Sequence, residues 1–166
     1  MTLDDITVRG GPLVLSAPAE VDEAEARLGI RFPRDYREYV TRFGEGILGG
    51  TYVRVYPPRR IIDGPDNLDE WRQRIDEYWF WDDGAAVLTK PKALECVIIG
   101  DTFDGDELIV HPGEPDRIYI LPRHSEDIFA VDGGLLPALD WLCNSGTLTE
   151  PFEERDFEPF DSRDEG

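Results

Sequence analysis

The densest run of oxygen ligands in the chain is Asp101-Thr102-Phe103-Asp104-Gly105-Asp106-Glu107. Three aspartates around a glycine supply the hard oxygens that calcium or magnesium takes. An EF-hand loop, however, needs an oxygen donor in third place and its glycine in sixth. Here Phe103 stands third and Gly105 fifth. Asp-Gly between two apolar runs is also the turn of a β-hairpin. A turn is expected, with a divalent-cation site as the alternative.

Other chemistry has less behind it. His111 and His124 have no Cys or His within four residues, so neither shows a zinc-ligand spacing. No serine sits in a nucleophile elbow, although a His–Ser or Cys–His pair assembled through the fold stays open. The glycines at 10–11, 44 and 46, 49–50 and 133–134 lack a P-loop lysine and lie among acids that repel phosphate. The aromatic run Tyr78-Trp79-Phe80-Trp81, followed by Asp82-Asp83, is more informative. A helix turns only about half of four consecutive side chains inward, which leaves one or two rings at the surface unless a loop covers them. An exposed aromatic rimmed by carboxylates suits a binding hot spot for a basic partner.

The totals agree with such a partner. Thirty-six Asp and Glu against 17 Lys and Arg leave a net charge of −19 over 166 residues. That balance argues against a surface for nucleic-acid phosphates or anionic lipids. The length suits one domain. No apolar run nears the ~20 residues of a membrane span. Met1–Asp5 lacks the basic-then-apolar layout of a signal peptide. Cys96 and Cys143 both lie in apolar stretches and are expected as buried small hydrophobes in a reducing compartment. A cytoplasmic location is the simplest expectation.

Local patterns predict the elements that would position these groups. Val21, Ala24 and Leu28 are helically spaced over 18–28, and Gly29 stops that helix. A second helix starts at Pro33, carries Tyr36, Tyr39, Val40 and Phe43, and ends at Gly44-Glu45-Gly46. Residues 51–56 alternate as a strand, Pro57-Pro58 ends it, and 66–80 repeats at helical spacing through Leu68, Trp71, Ile75 and Trp79. Strands are expected over 95–99, 107–111, 117–121 and 128–131, then a helix from near Pro137. The domain is drawn as 1–149. Residues 150–166 hold eight acids and three phenylalanines, and form either a solvated acidic tail or an arm docking through Phe152, Phe157 and Phe160.

Several of these segments resemble a known family. Residues 25–39, with Glu25, Leu28-Gly29, Phe32-Pro33, Asp35-Tyr36 and Tyr39, are similar to the E-x-x-L-G-x-x-L-P-x-D-Y-x-x-[FLY] opening of the SUKH superfamily. Phe32 replaces its usual leucine, and Gly44-Glu45-Gly46 stands where Asn-Gly-Gly is more common. Residues 97–108 resemble the family's central strand pair, 117–121 its next strand and 135–142 its closing helix. The resemblance spans 18–145. It implies an α+β fold, a mainly antiparallel sheet of about five or six strands packed against helices, with no enzyme activity and no cofactor. Bacterial members look like immunity proteins that neutralise a sibling toxin, frequently a nuclease, and fungal members are cell-wall-assembly regulators acting as interaction hubs.

Charge and resemblance together lead to a non-enzymatic immunity protein that occludes the active site or substrate groove of a basic toxin. The expected contacts are Glu45, Asp82, Asp83, Asp101, Asp104, Asp106 and Glu107, with Trp79 and Trp81 as anchors. A regulatory scaffold domain and a metal-dependent hydrolase built on the 101–106 turn are the alternatives.

Overall fold

The first two helices form where residue types permit little else. α1 (Pro18–Leu28) opens with a proline in its first turn, and the Glu20 carboxylate accepts the Ala17 N–H at 2.9 Å. Gly29, at φ +67°, ends it in the left-handed conformation that glycine tolerates best. The Glu25 carboxylate then accepts the Phe32 N–H at 2.7 Å, which fixes the turn into α2 (Tyr36–Arg42). Val21 and Ala24 of α1 and Tyr36, Tyr39 and Val40 of α2 are buried.

This computed structural model describes every residue except Thr51, Pro65, Asp66 and Gly166. Its strands are β1 (Thr7–Val8), β2 (Gly46–Leu48), β3 (Val53–Val55), β4 (Val97–Thr102), β5 (Glu107–Val110), β6 (Arg117–Leu121), β7 (Phe129–Asp132) and β8 (Asp156–Pro159). They form one sheet in the order β1-β8-β2-β3-β4-β5-β6-β7, antiparallel at every pairing except β1 with β8. The class is α+β, but the sheet has eight strands rather than five or six. The additional strands, β1, β2 and β8, span only two to four residues, too few to show a period of two.

The remaining helices are α3 (Pro58–Asp63), α4 (Leu68–Ile75), α5 (Trp81–Gly84), α6 (Lys90–Ala93) and α7 (Leu135–Asn144). α3 and α4 pack over β4, and α7 over β7. In consequence Val97–Gly100 and Glu107–Val110 are buried at every position, as continuous apolar strands covered on both faces are. Cys96 and Cys143 are buried free thiols within this core.

Four expectations shift. The second helix, expected from Pro33, begins at Tyr36 behind Asp35, whose φ is +72°. The strand expected over 51–56 is limited to Val53–Val55, with Thr51 outside the described residues. The helix expected over 66–80 ends at Ile75, so Trp79 leaves its apolar stripe; Asp66 too lies outside the described residues. The domain boundary at 149 separates a strand from its own sheet. β8 lies between β1 and β2, with Phe157 fully buried and its ring centroid 5.6 Å from that of Phe43 and 6.0 Å from that of Tyr39. Strand alternation sends this single large apolar residue inward and Glu158 outward, so an acidic stretch enters the fold. A Cβ on Gly46 would overlap the Phe157 ring and the Glu158 carbonyl, which explains the glycine at the start of β2.

Candidate functional site

The β4–β5 hairpin sets the geometry. Gly105, at φ +94°, donates its N–H to the Thr102 carbonyl at 2.9 Å, and the Thr102 N–H donates to the Asp106 carbonyl at 2.9 Å. The 101–107 motif is therefore a hairpin turn. Among the described residues, no group of three or more His, Cys, Asp or Glu side chains is arranged to hold a metal ion.

The carboxylates of this turn point in different directions. Asp106 is buried and accepts the Thr102 hydroxyl at 2.9 Å and the Arg123 N–H at 3.0 Å. Glu107 is buried and accepts the Tyr78 hydroxyl at 2.6 Å and Arg74 Nη2 at 2.9 Å. Burial raises the Glu107 carboxyl above its usual range despite these donors, and burial, with the Glu107 charge, pushes the Tyr78 hydroxyl up to about 12. Asp101 is half-buried and accepts Arg54 Nε at 2.7 Å and the Tyr56 hydroxyl at 2.6 Å. Asp104 projects into solvent.

Glu45 was expected at a surface, yet it is buried at the start of β2. It accepts Arg59 Nη2 at 2.6 Å and both the Ser162 N–H and hydroxyl at 3.1 Å, so it ties the C-terminal segment to α3. Trp81 is likewise turned inward and donates its indole N–H to the Ile75 carbonyl at 2.8 Å. These inward positions share one cause. A carboxylate or indole tolerates burial when a polar partner meets it there, and an unpartnered one does not.

What remains at the surface is a smaller group. Trp79 is 62% exposed, and Asp82 and Asp83 beside it are exposed. Phe103, whose ring spoils an EF-hand arrangement, is 80% exposed at the hairpin tip. An apolar ring in an otherwise acidic turn was the available signal. Trp79, Phe80, Gly105, Pro122 and Arg123 line one cleft, so the structure brings the aromatic run to the hairpin turn.

The two cysteines are buried and His111 is held by its neighbours. His111 lies 3.2 Å from Glu95 through Nε2 and accepts the Gly113 N–H through Nδ1 at 3.0 Å. His124 is exposed in the β6–β7 loop. Burial pushes the Cys96 thiol up to about 12 and raises that of Cys143, the reverse of an activated nucleophile. Among the described residues no helix is long and apolar enough to cross a membrane.

A family model described as the SMI1 / KNR4 family (SUKH-1) matches residues 16–133. The matched region runs from α1 to β7 and leaves β1, α7 and β8 outside it. No curated protein and no solved structure matches the chain. Because the match takes in well over half of the 166 residues and includes both the opening signature and the central hairpin, the chain belongs to the SMI1 / KNR4 family (SUKH-1).

Proposed function

We propose that this protein is a non-enzymatic immunity protein that binds a basic toxin and covers its active site or substrate groove. The observation that carries the reading is the Trp79 indole, 62% exposed beside the solvent carboxylates of Asp82 and Asp83, on a chain of net charge −19. An indole left in water gains free energy when a partner covers it, since an aromatic side chain buries roughly 150–250 Å². Opposite charge speeds the encounter, which matters when the target is lethal. Family membership supports a protein-interaction or immunity role. Of the residues expected at the contact, Trp79, Asp82, Asp83 and Asp104 are the ones that reach solvent without rearrangement; Glu45, Trp81, Asp106 and Glu107 serve as internal supports, and Asp101 is half-covered by Arg54 and Tyr56.

The test is affinity capture with the full chain from its native cells at about 0.15 M salt, where loose charge attraction is screened. One stoichiometric basic protein, whose toxic activity the purified chain suppresses, is the expected result. Several sub-stoichiometric partners would replace it with the regulatory-scaffold reading, and a captured protein whose activity is unaffected would remove neutralisation.

A further inference from the structure

The two most exposed large apolar side chains among the described residues are both aromatic, with an exposed aspartate one residue from Phe103 and three residues from Trp79, and Trp79 shares a cleft with Gly105 of the turn that carries Phe103. Phe103 projects from the β4–β5 turn beside Asp104, and Trp79 from the α4–α5 connection ahead of Asp82 and Asp83. Three segments meet there. A Cβ on Gly105 would meet Arg123 Cγ at 3.1 Å, so the turn lies against the β6–β7 loop. A Cβ on Gly84 would overlap Ile128, so α5 rests on the far end of the same loop. That loop adds exposed Glu126 and Asp127.

Both residues have their backbone tied to the fold. The Phe103 N–H donates to the Tyr52 carbonyl at 2.6 Å, which anchors the hairpin tip to the β2–β3 connection. Trp79 is followed directly by buried Phe80 and Trp81, and its ring meets that of Phe80 edge-on at 6.0 Å. A pre-positioned ring loses little freedom on docking. The other exposed large apolar residues are aliphatic: Val8, Leu13 and Leu15 near Arg9 at the N-terminus, and Val87 just beyond α5.

We infer that Trp79 and Phe103 form a two-pronged docking face, rimmed by Asp82, Asp83, Asp104, Glu126 and Asp127, for a polypeptide segment that alternates cationic and apolar side chains. The rings take the apolar side chains while the carboxylates take arginine or lysine. The inference rests on the immunity reading for its biological partner, but the recognition chemistry is tested without one.

The probe is a short peptide alternating arginine and leucine, titrated into the full chain while backbone amides and indole N–H signals are followed by NMR. The expected result is saturable shifts at the Trp79 indole, at 80–84 and at 103–105, with buried Trp71 unchanged. Trp79→Ala or Phe103→Ala weakens binding at least about tenfold, and Asp82→Lys with Asp83→Lys does the same. The inference is overturned by shifts spread over the whole acidic surface, by shifts centred on Val8, Leu13 and Leu15, or by equal binding of a peptide with glutamate in place of arginine. Absence of saturation by about a millimolar overturns it too. If the peptide maps here while the chain suppresses no toxin, the immunity reading fails and the docking face stands. Neutralisation that survives both aromatic substitutions gives the converse.

Discussion

Phe157 and Trp79 both have carboxylates within three residues on either side, yet Phe157 is fully buried and Trp79 is 62% exposed. The difference lies in what their neighbours can do. Around Phe157 the backbone pairs on both sides, with β1 and β2, and the ring meets Tyr39 and Phe43. The local acids have cations: Asp156 lies 3.2 Å from Arg9, and Glu45 is held by Arg59. At Trp79 the inward places are already taken by Phe80 and Trp81, and Asp82 and Asp83 face water. An aromatic ring among acids is buried where backbone pairing and countercharge are both supplied, and stays outside where they are not.

Substitutions can break this contrast, starting with the largest effect. Phe157→Ala deletes a fully buried ring and is expected to cost about 3–5 kcal/mol in urea unfolding. Wild-type stability would mean that the C-terminal arm is peripheral to the domain. Glu45→Ala leaves Arg59 and Arg60 without their shared carboxylate; a loss of about 3 kcal/mol is expected, less if Arg59, still 22% exposed, finds water. Its unfolding midpoint, measured beside that of Glu45→Gln, separates the charge from the hydrogen bonds to Ser162.

The buried acid at the exposed end has the opposite sign from an ordinary ion-paired carboxylate. Burial holds Glu107 above its usual value of 4.5, so its proton binds more tightly in the folded chain than in the unfolded one. Its contribution to stability is present at low pH and is lost as pH rises through the folded value. Glu107→Gln should flatten that part of the stability–pH curve; an unchanged slope would assign the dependence to other groups. Asp161 runs the other way. The Arg163 side chain and backbone hold its carboxyl well below 3.8, so its contribution is present above that value and lost as pH falls. The smallest change is expected at the exposed rings. Trp79→Ala and Phe103→Ala should each shift unfolding by within about 0.5 kcal/mol. A large loss at either would move that ring from the docking face into the fold.

Much of the family core was legible because its signals are local. Pro18 and Gly29 bound α1 through their own backbone preferences, and the Asp104-Gly105 turn joins strands that directly precede and follow it. One ring of Tyr78–Trp81, Trp79, is largely exposed as expected, but the helix-face count behind that expectation does not apply, because α4 ends at Ile75 and α5 begins at Trp81. β1, β2 and β8 were not legible, since strands of two to four residues show no period and β8 finds its neighbours across most of the chain. The candidate contacts were overcounted for a related reason. A string of acids does not reveal that Glu45 meets Arg59, that Asp106 meets the Arg123 backbone, or that Glu107 meets Arg74 and Tyr78.

The amino-acid order by itself determined the local turns, the limits of α1, the strongly negative charge and the family, because each depends on residues close in sequence or on simple sums. Only the tertiary structure decided which acids and rings face water, because that choice depends on partners that chain connectivity places far away and folding brings within hydrogen-bond distance.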